Sequence, residues 1–230
     1  MEKLGEDIWV HEDKMNLMCT ELQLRMTIVK LAEGGLWIHS PTALSAELKS
    51  QLEQLGPIEF IVSASNGHNL WLKEWQTAFP EAQLYVSAGI PKKLNLSDYH
   101  LLDETIENHW QQDLSHEYMA GVPLFNESVF LHKKTKALIV TDFIQHYPAE
   151  LPIGFAGFLA KYIFRPIGFK DKCVAPPLKM NMIIKEKQHF SSAIKSIKTW
   201  DFDKIIVTHG EIIDVNAKQV FARLTERFLK

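Results

Sequence analysis

At 230 residues, with 46% hydrophobic and 23% charged side chains, the chain can bury a sizeable core, and it contains no repeated or low-complexity stretch. Its net charge of −3, with Lys and Glu interspersed, gives no electrostatic footprint for nucleic acid. Met1 to Lys14 carries Glu2, Glu6, Asp7, Glu12 and Asp13 where an export signal would be basic and then apolar. Cys19 and Cys173 are too few for a disulfide framework and too far apart for a zinc motif, so the expected setting is reducing and cytoplasmic and both thiols read as small buried hydrophobes.

In chain order, Ile8–His11 and the alternating Leu22–Ile28 read as strands with one face on a core. Gly34-Gly35 turns the chain into the strand Leu36–His39. Leu44, Leu48, Leu52 and Leu55 recur at helical spacing until Gly56-Pro57 stops the helix. Ile58–Ala64 is a further strand and Leu70–Ala78 a helix with Trp71 and Trp75 on one face. Pro80 then resets the chain before the strand Gln83–Ser87.

From Ser115 the texture changes to hairpins, with strands His116–Met119, Ser128–His132 and Ala137–Thr141 and a turn at Lys133–Lys136. An aromatic, partly helical stretch runs from Leu151 to Phe169. Helices near Leu178–Lys187 and Ser191–Trp200, the strand Lys204–Thr208 and an amphipathic helix Ala217–Leu229 complete the chain. Two β-rich halves, each closed by helices, predict one α/β domain over 1–230, an αββα sandwich with an inserted aromatic helical segment at about 151–200.

Three of these strands carry the chemistry. Leu138–Val140 runs into Thr141-Asp142, and Ile205–Val207 runs into Thr208-His209-Gly210. Ile58–Ala64 is followed by Ser65-Asn66-Gly67-His68-Asn69. A buried strand that delivers Asp or His at its C-terminal end is how α/β scaffolds build sites.

In order and spacing these segments resemble the metallo-β-lactamase superfamily, in which a His-x-His-x-Asp-His loop, a strand ending in Asp and a strand ending in His-Gly converge. The resemblance extends from about Ile8 to the last helix. Trp37-Ile38-His39-Ser40-Pro41, and His68-Asn69 followed by Leu70-Trp71-Leu72-Lys73-Glu74-Trp75, are similar to an uncharacterised branch of that superfamily, a domain of unknown function.

The resemblance places Ala64 and Asn66 where the first metal's two histidines would stand. The region that would supply its third, Gly121–Asn126, has no histidine. The second site retains His68, Asp142 and His209, with Asn69 in a histidine's place, and this set implies one zinc or iron ion, with Asp142 as the catalytic carboxylate. His39, Asn66, Asn69 and His146 are candidates for the surrounding pocket. The implied activity is hydrolysis of an ester, thioester or amide-like carbonyl in a small molecule by metal-activated water.

Two readings stay open. One is a mononuclear hydrolase with a degenerate site; the other is a non-catalytic ligand-binding or oligomerisation protein that uses the relic pocket without metal. The Leu151–Phe169 stretch is broken by Pro152, Gly154, Gly157 and Lys161, which argues against a membrane-spanning helix. A lid, a homodimer contact or an interfacial helix remain, the first two favoured by the closeness of Asp142 in sequence.

Overall fold

Alternating side chains decide the architecture of a computed structural model that describes residues 1–17, 20–106, 109–151 and 154–229. Seven strands lie side by side in chain order: β1 (Glu2–Gly5), β2 (Ile8–Leu17), β3 (Thr20–Lys30), β4 (Leu36–His39), β5 (Ile58–Ser63), β6 (Gln83–Val86) and β7 (His100–Leu101). The first four pair antiparallel. From β4 onward the pairs are parallel, which requires crossover connections, and these carry α1 (Ala46–Leu55), α2 (Leu72–Ala78) and α3 (Ile90–Leu94). Ser45 caps α1 by accepting the Leu48 N–H at 3.0 Å.

The second half begins with β8 (Leu114–Tyr118), β9 (Ser128–His132) and β10 (Ala137–Val140). A two-stranded ribbon follows, β11 (Ile144–Tyr147) with β12 (Asp171–Val174), and between its strands stand α4 (Phe155–Leu159), a π-helical turn (Ala160–Phe164) and α5 (Arg165–Ile167). After α6 (Pro176–Lys179) and α7 (Lys187–Thr199), β13 (Lys204–Val207) returns to pair with β10, giving a four-stranded sheet in the order β13-β10-β9-β8. The chain continues into α8 (Ala217–Thr225) and a 3-10 turn (Glu226–Phe228).

Period two in the strands sorts side chains into three cores. Trp37, Phe60, Val62, Phe130, Ile139 and Ile206 fill the space between the sheets. Their neighbours Leu36, Ile38 and Ile61 point outward and meet Leu48, Leu52, Leu72 and Trp75 of α1 and α2. On the other side Leu138, Val140, Ile205 and Val207 meet Phe190, Ile194, Ile197 and Phe221 of α7 and α8. The layers are therefore helix, sheet, sheet, helix, with each fully buried large apolar side chain contributing roughly 1.5–3 kcal/mol.

The structure corrects several sequence expectations. The helix expected at Leu178–Lys187 is only the single turn α6, because Asn181 takes a left-handed conformation (φ 55°) just beyond it, and the following helix starts at Lys187 instead of Ser191. The four-residue strands β11 and β12 and the five-residue α3 carry too little periodicity to be read in advance. Cys173 is buried, as expected; Cys19 and Pro152 lie outside the described residues.

Candidate metal centre

The parallel pair β10–β13 builds half of the site by register. Val140 stands opposite Val207, so two residues farther along each strand Asp142 and His209 emerge side by side at the same sheet end. Gly210 makes the exit of β13 possible. It has φ +92°, and a Cβ there would lie 1.7 Å from the His146 carbonyl oxygen of neighbouring β11. Across the sandwich, β5 ends at Ser63, and the loop after it brings in His68.

Three donor atoms meet at this end. His68 Nε2 is 3.1 Å from His209 Nε2 and 3.5 Å from Asp142 Oδ1, and His209 Nε2 is 3.3 Å from the same oxygen. All three side chains are mostly buried. Burial pushes the Asp142 carboxyl upward, but the neighbouring His68 charge and the hydrogen bonds from His209 and His68 outweigh it and hold the group well below the usual carboxylate range.

His209 and Asp142 are each held by groups that carry no local signal in the sequence. His209 Nδ1 lies 3.0 Å from the Gln23 carbonyl oxygen of β3; only N–H can satisfy that oxygen, so in the neutral ring the Nε2 lone pair faces the cluster. Two residues on, buried Arg25 donates from one guanidinium nitrogen to the Val207 and Gly210 carbonyls, both at 2.6 Å, and thereby brackets His209. Its other terminal nitrogen pairs with Glu12.

Asp142 has its own brace. Buried Glu127 accepts the backbone N–H of Thr141 at 2.8 Å with Oε1, and those of Asp142 at 3.0 Å and Phe143 at 2.7 Å with Oε2. Burial, and then the charge of Asp142, push the Glu127 carboxyl up, against the pull of the three amides. The Ser65 hydroxyl donates to Asp142 Oδ2, leaving Oδ1 toward the two imidazoles.

The remaining candidates fall elsewhere. His39 lies behind Asp142, its Nε2 3.1 Å from the Thr141 hydroxyl and its ring stacked on Trp37; burial pushes it down to about 3, so it is neutral. Asn66 braces loops: its amide nitrogen donates to the Pro123 and Leu124 carbonyls at 3.1 and 3.2 Å, and its amide oxygen accepts the Gly89 N–H at 2.9 Å. Asn69 donates to the Asn66 carbonyl at 2.6 Å.

Ala64, expected to line a vacant first site, is instead fully buried in the core between the sheets. The His146 ring is turned to the Glu211 carbonyl at 3.1 Å and to the Glu211 and Asp171 carboxylates. Among the described residues, the group of His, Cys, Asp and Glu donors close enough to share an ion is His68, Asp142 and His209.

The donor set fits a divalent transition metal. Ligands at about 2.1 Å from a tetrahedral ion stand about 3.4 Å apart, and the three separations observed straddle that value. Two imidazoles with one carboxylate suit zinc or iron(II), leaving further positions for water.

Solved structures with the same architecture define the class. A metallo-β-lactamase, DIM-1, aligns with a TM-score of 0.65 at 14% identity, covering 98% of this chain and 95% of its own. The mono-zinc form of the metallo-β-lactamase FIM-1 from Pseudomonas aeruginosa gives 0.60 at 11% identity, over 98% and 94%. A metal-soaked flavodiiron core, Flv1 from Synechocystis sp. PCC6803, gives 0.64 at 10% identity, over 99% of this chain and 60% of that one. The chain thus has a metallo-β-lactamase-like fold. By sequence it belongs to the family described as a domain of unknown function, DUF4336, whose model matches residues 5–156. No curated protein matches it.

Proposed function

We propose that this protein is a mononuclear metal-dependent hydrolase, with His68, Asp142 and His209 holding one zinc or iron ion. The observation that carries the reading is the convergence of three donor atoms within 3.1–3.5 Å of one another, two of them, on His209 and Asp142, oriented by partners outside the cluster. We take residues 1–230 as one working unit, with 151–200 as an insertion.

A zinc or iron ion bound there supplies a Lewis acid for a carbonyl oxygen and makes water acidic enough to react near neutral pH. The chain's own groups do the rest. Asp142, kept ionised, would hold the ion through Oδ1 and orient the water beside it, with Ser65 fixing the rotation of the carboxylate. Gln23 holds His209 in one tautomer, and Arg25 and Glu127 hold the backbones that present His209 and Asp142. Asn66, committed to three loop contacts, leaves the position of a first metal without a donor, so the site is degenerate and works with a single ion. The substrate class is a small ester, thioester or amide-like carbonyl.

Zinc titration with elemental analysis tests this. One equivalent per chain, lost in His68→Ala, is the expected result; two equivalents, both lost in that variant, would contradict it. A second reading, a binding protein that uses the pocket without metal, is favoured by the His68–His209 contact itself, which one shared proton satisfies without an ion. Purified protein that takes up no zinc or iron would decide for it.

A further inference from the structure

The segment between β11 and β12 carries a surface that the metal reading leaves unused. Phe155, Phe158 and Tyr162 are 63%, 55% and 57% exposed, and they form one aromatic ladder along the helix. Ring centroids of Phe155 and Phe158 are 6.3 Å apart and those of Phe158 and Tyr162 4.9 Å apart. Ile163, Ile167, Met180 and Met182 are exposed nearby in sequence, so seven of the twelve large hydrophobics exposed among the described residues fall within 155–182. Such concentration on one segment marks an interaction surface, unlike scattered single side chains.

Charge identifies the occupant. Over 155–182 there are five bases, Lys161, Arg165, Lys170, Lys172 and Lys179, against the single acid Asp171, a sign opposite to the chain's net −3. Lys161 stands over the Tyr162 ring at 5.1 Å, and among the described residues Lys161, Lys170 and Lys179 have no carboxylate partner. A two-fold contact between copies would set this patch against itself, bringing Lys161, Arg165 and Lys170 toward their own copies with no acid between Leu151 and Lys170 to offset them. Exposed aromatics interleaved with bases on a short helix match the interface of an anionic bilayer, where rings enter the headgroup boundary and ammonium groups meet phosphates. No helix among the described residues is long and apolar enough to cross a membrane.

We propose that the aromatic and basic face of residues 155–170 docks the protein peripherally on an anionic lipid surface. Because α4 lies against β3, the strand that supplies Gln23 and Arg25, docking would hold the metal centre's supporting strand next to the bilayer.

Co-sedimentation of the full chain with phosphatidylcholine vesicles, with and without about 30% phosphatidylserine, tests the proposal. Binding is expected to the anionic vesicles, weakening as salt is raised. Phe155→Ser with Phe158→Ser should lower the affinity at least about ten-fold, and Lys161→Ala with Lys170→Ala on the order of ten-fold. Both pairs alter exposed side chains, so the unfolding midpoint should stay that of the unmodified chain. Equal binding to neutral and anionic vesicles, or none to either, overturns the proposal. So does a dimer in size-exclusion chromatography that becomes monomeric in the phenylalanine pair while vesicles are ignored, and so does capture only by an acidic protein. Zinc stoichiometry is unaffected by any of these outcomes, so the metal reading stands or falls separately.

Discussion

The loop Ala64–Asn69 and the strand ends at Asp142 and His209 border the same end of the sandwich, yet they use their polar groups in opposite ways. In the loop, Asn66 and Asn69 turn their amides to backbone groups and tie the loop to Pro123, Leu124 and Gly89. At the strand ends, other residues do the tying. Glu127 gathers the amides around Asp142 and Arg25 gathers the carbonyls around His209, so both side chains are left pointing at His68. A donor is available for chemistry only when something else satisfies the backbone that carries it.

Removing donors should have the largest effect. Asp142→Ala or His209→Ala should lower zinc affinity by more than the roughly 10–100-fold that loss of an outer partner costs, measured by competition against a chelating dye. Retention of affinity in both would dissolve the distinction between the two regions.

Glu127→Gln comes next, since an amide offers one acceptor oxygen and presents its NH2 to backbone donors. We expect a loss of about 1–3 kcal/mol for each amide left unpaired and zinc binding weaker by roughly 10–100-fold, read from the denaturant midpoint and a zinc titration. A stability loss with unchanged affinity would make Glu127 a brace of the fold alone.

Asn66→His probes the loop by returning an imidazole to a position where the superfamily pattern has one. Three hydrogen bonds disappear with the amide, so the variant should be less stable by about 1–3 kcal/mol and should still bind a single equivalent of zinc. Two equivalents would show that the loop lacks only a side chain and not a geometry.

The last comparison concerns pH. His39 is pushed by burial from 6.5 down to about 3. Below 6.5 the unfolded chain takes up a proton that the folded chain refuses, so stability falls as pH drops from 6.5 toward about 3, at up to about 1.4 kcal/mol per pH unit. Denaturant midpoints at successive pH values should show a shallower decline in His39→Gln; equal slopes would mean that His39 accepts a proton in place.

How much of this was legible depends on the range of the cause. Leu138–Asp142 and Ile205–His209 announce themselves, because an apolar run interrupted by Asp or His is a local signal. Glu127 gives no such signal; before a strand it reads as an ordinary loop acid, and only the fold brings the Thr141–Phe143 amides to it. Arg25 misleads, since in the alternation Leu22-Gln23-Leu24-Arg25-Met26 it takes a polar position that reads as solvent-facing, whereas the Val207 and Gly210 carbonyls lie over it. The aromatic segment was visible as a composition, but its exposure was not.

By itself the sequence determined the layers, because periods of two and 3.6 and their stop signals are properties of neighbouring residues. It also marked the strand ends where His68, Asp142 and His209 leave the sheets. Only the tertiary structure decided that their nitrogens and oxygen meet within 3.5 Å, that Gln23 sets the His209 tautomer, and that Asn66 is committed to loop contacts. Those outcomes follow from the in-register pairing of β10 with β13 and from the packing of one sheet on the other. His68 and His209 stand 141 residues apart in the chain, Gln23 and His209 186, and Asn66 and Pro123 57, beyond the reach of any local pattern.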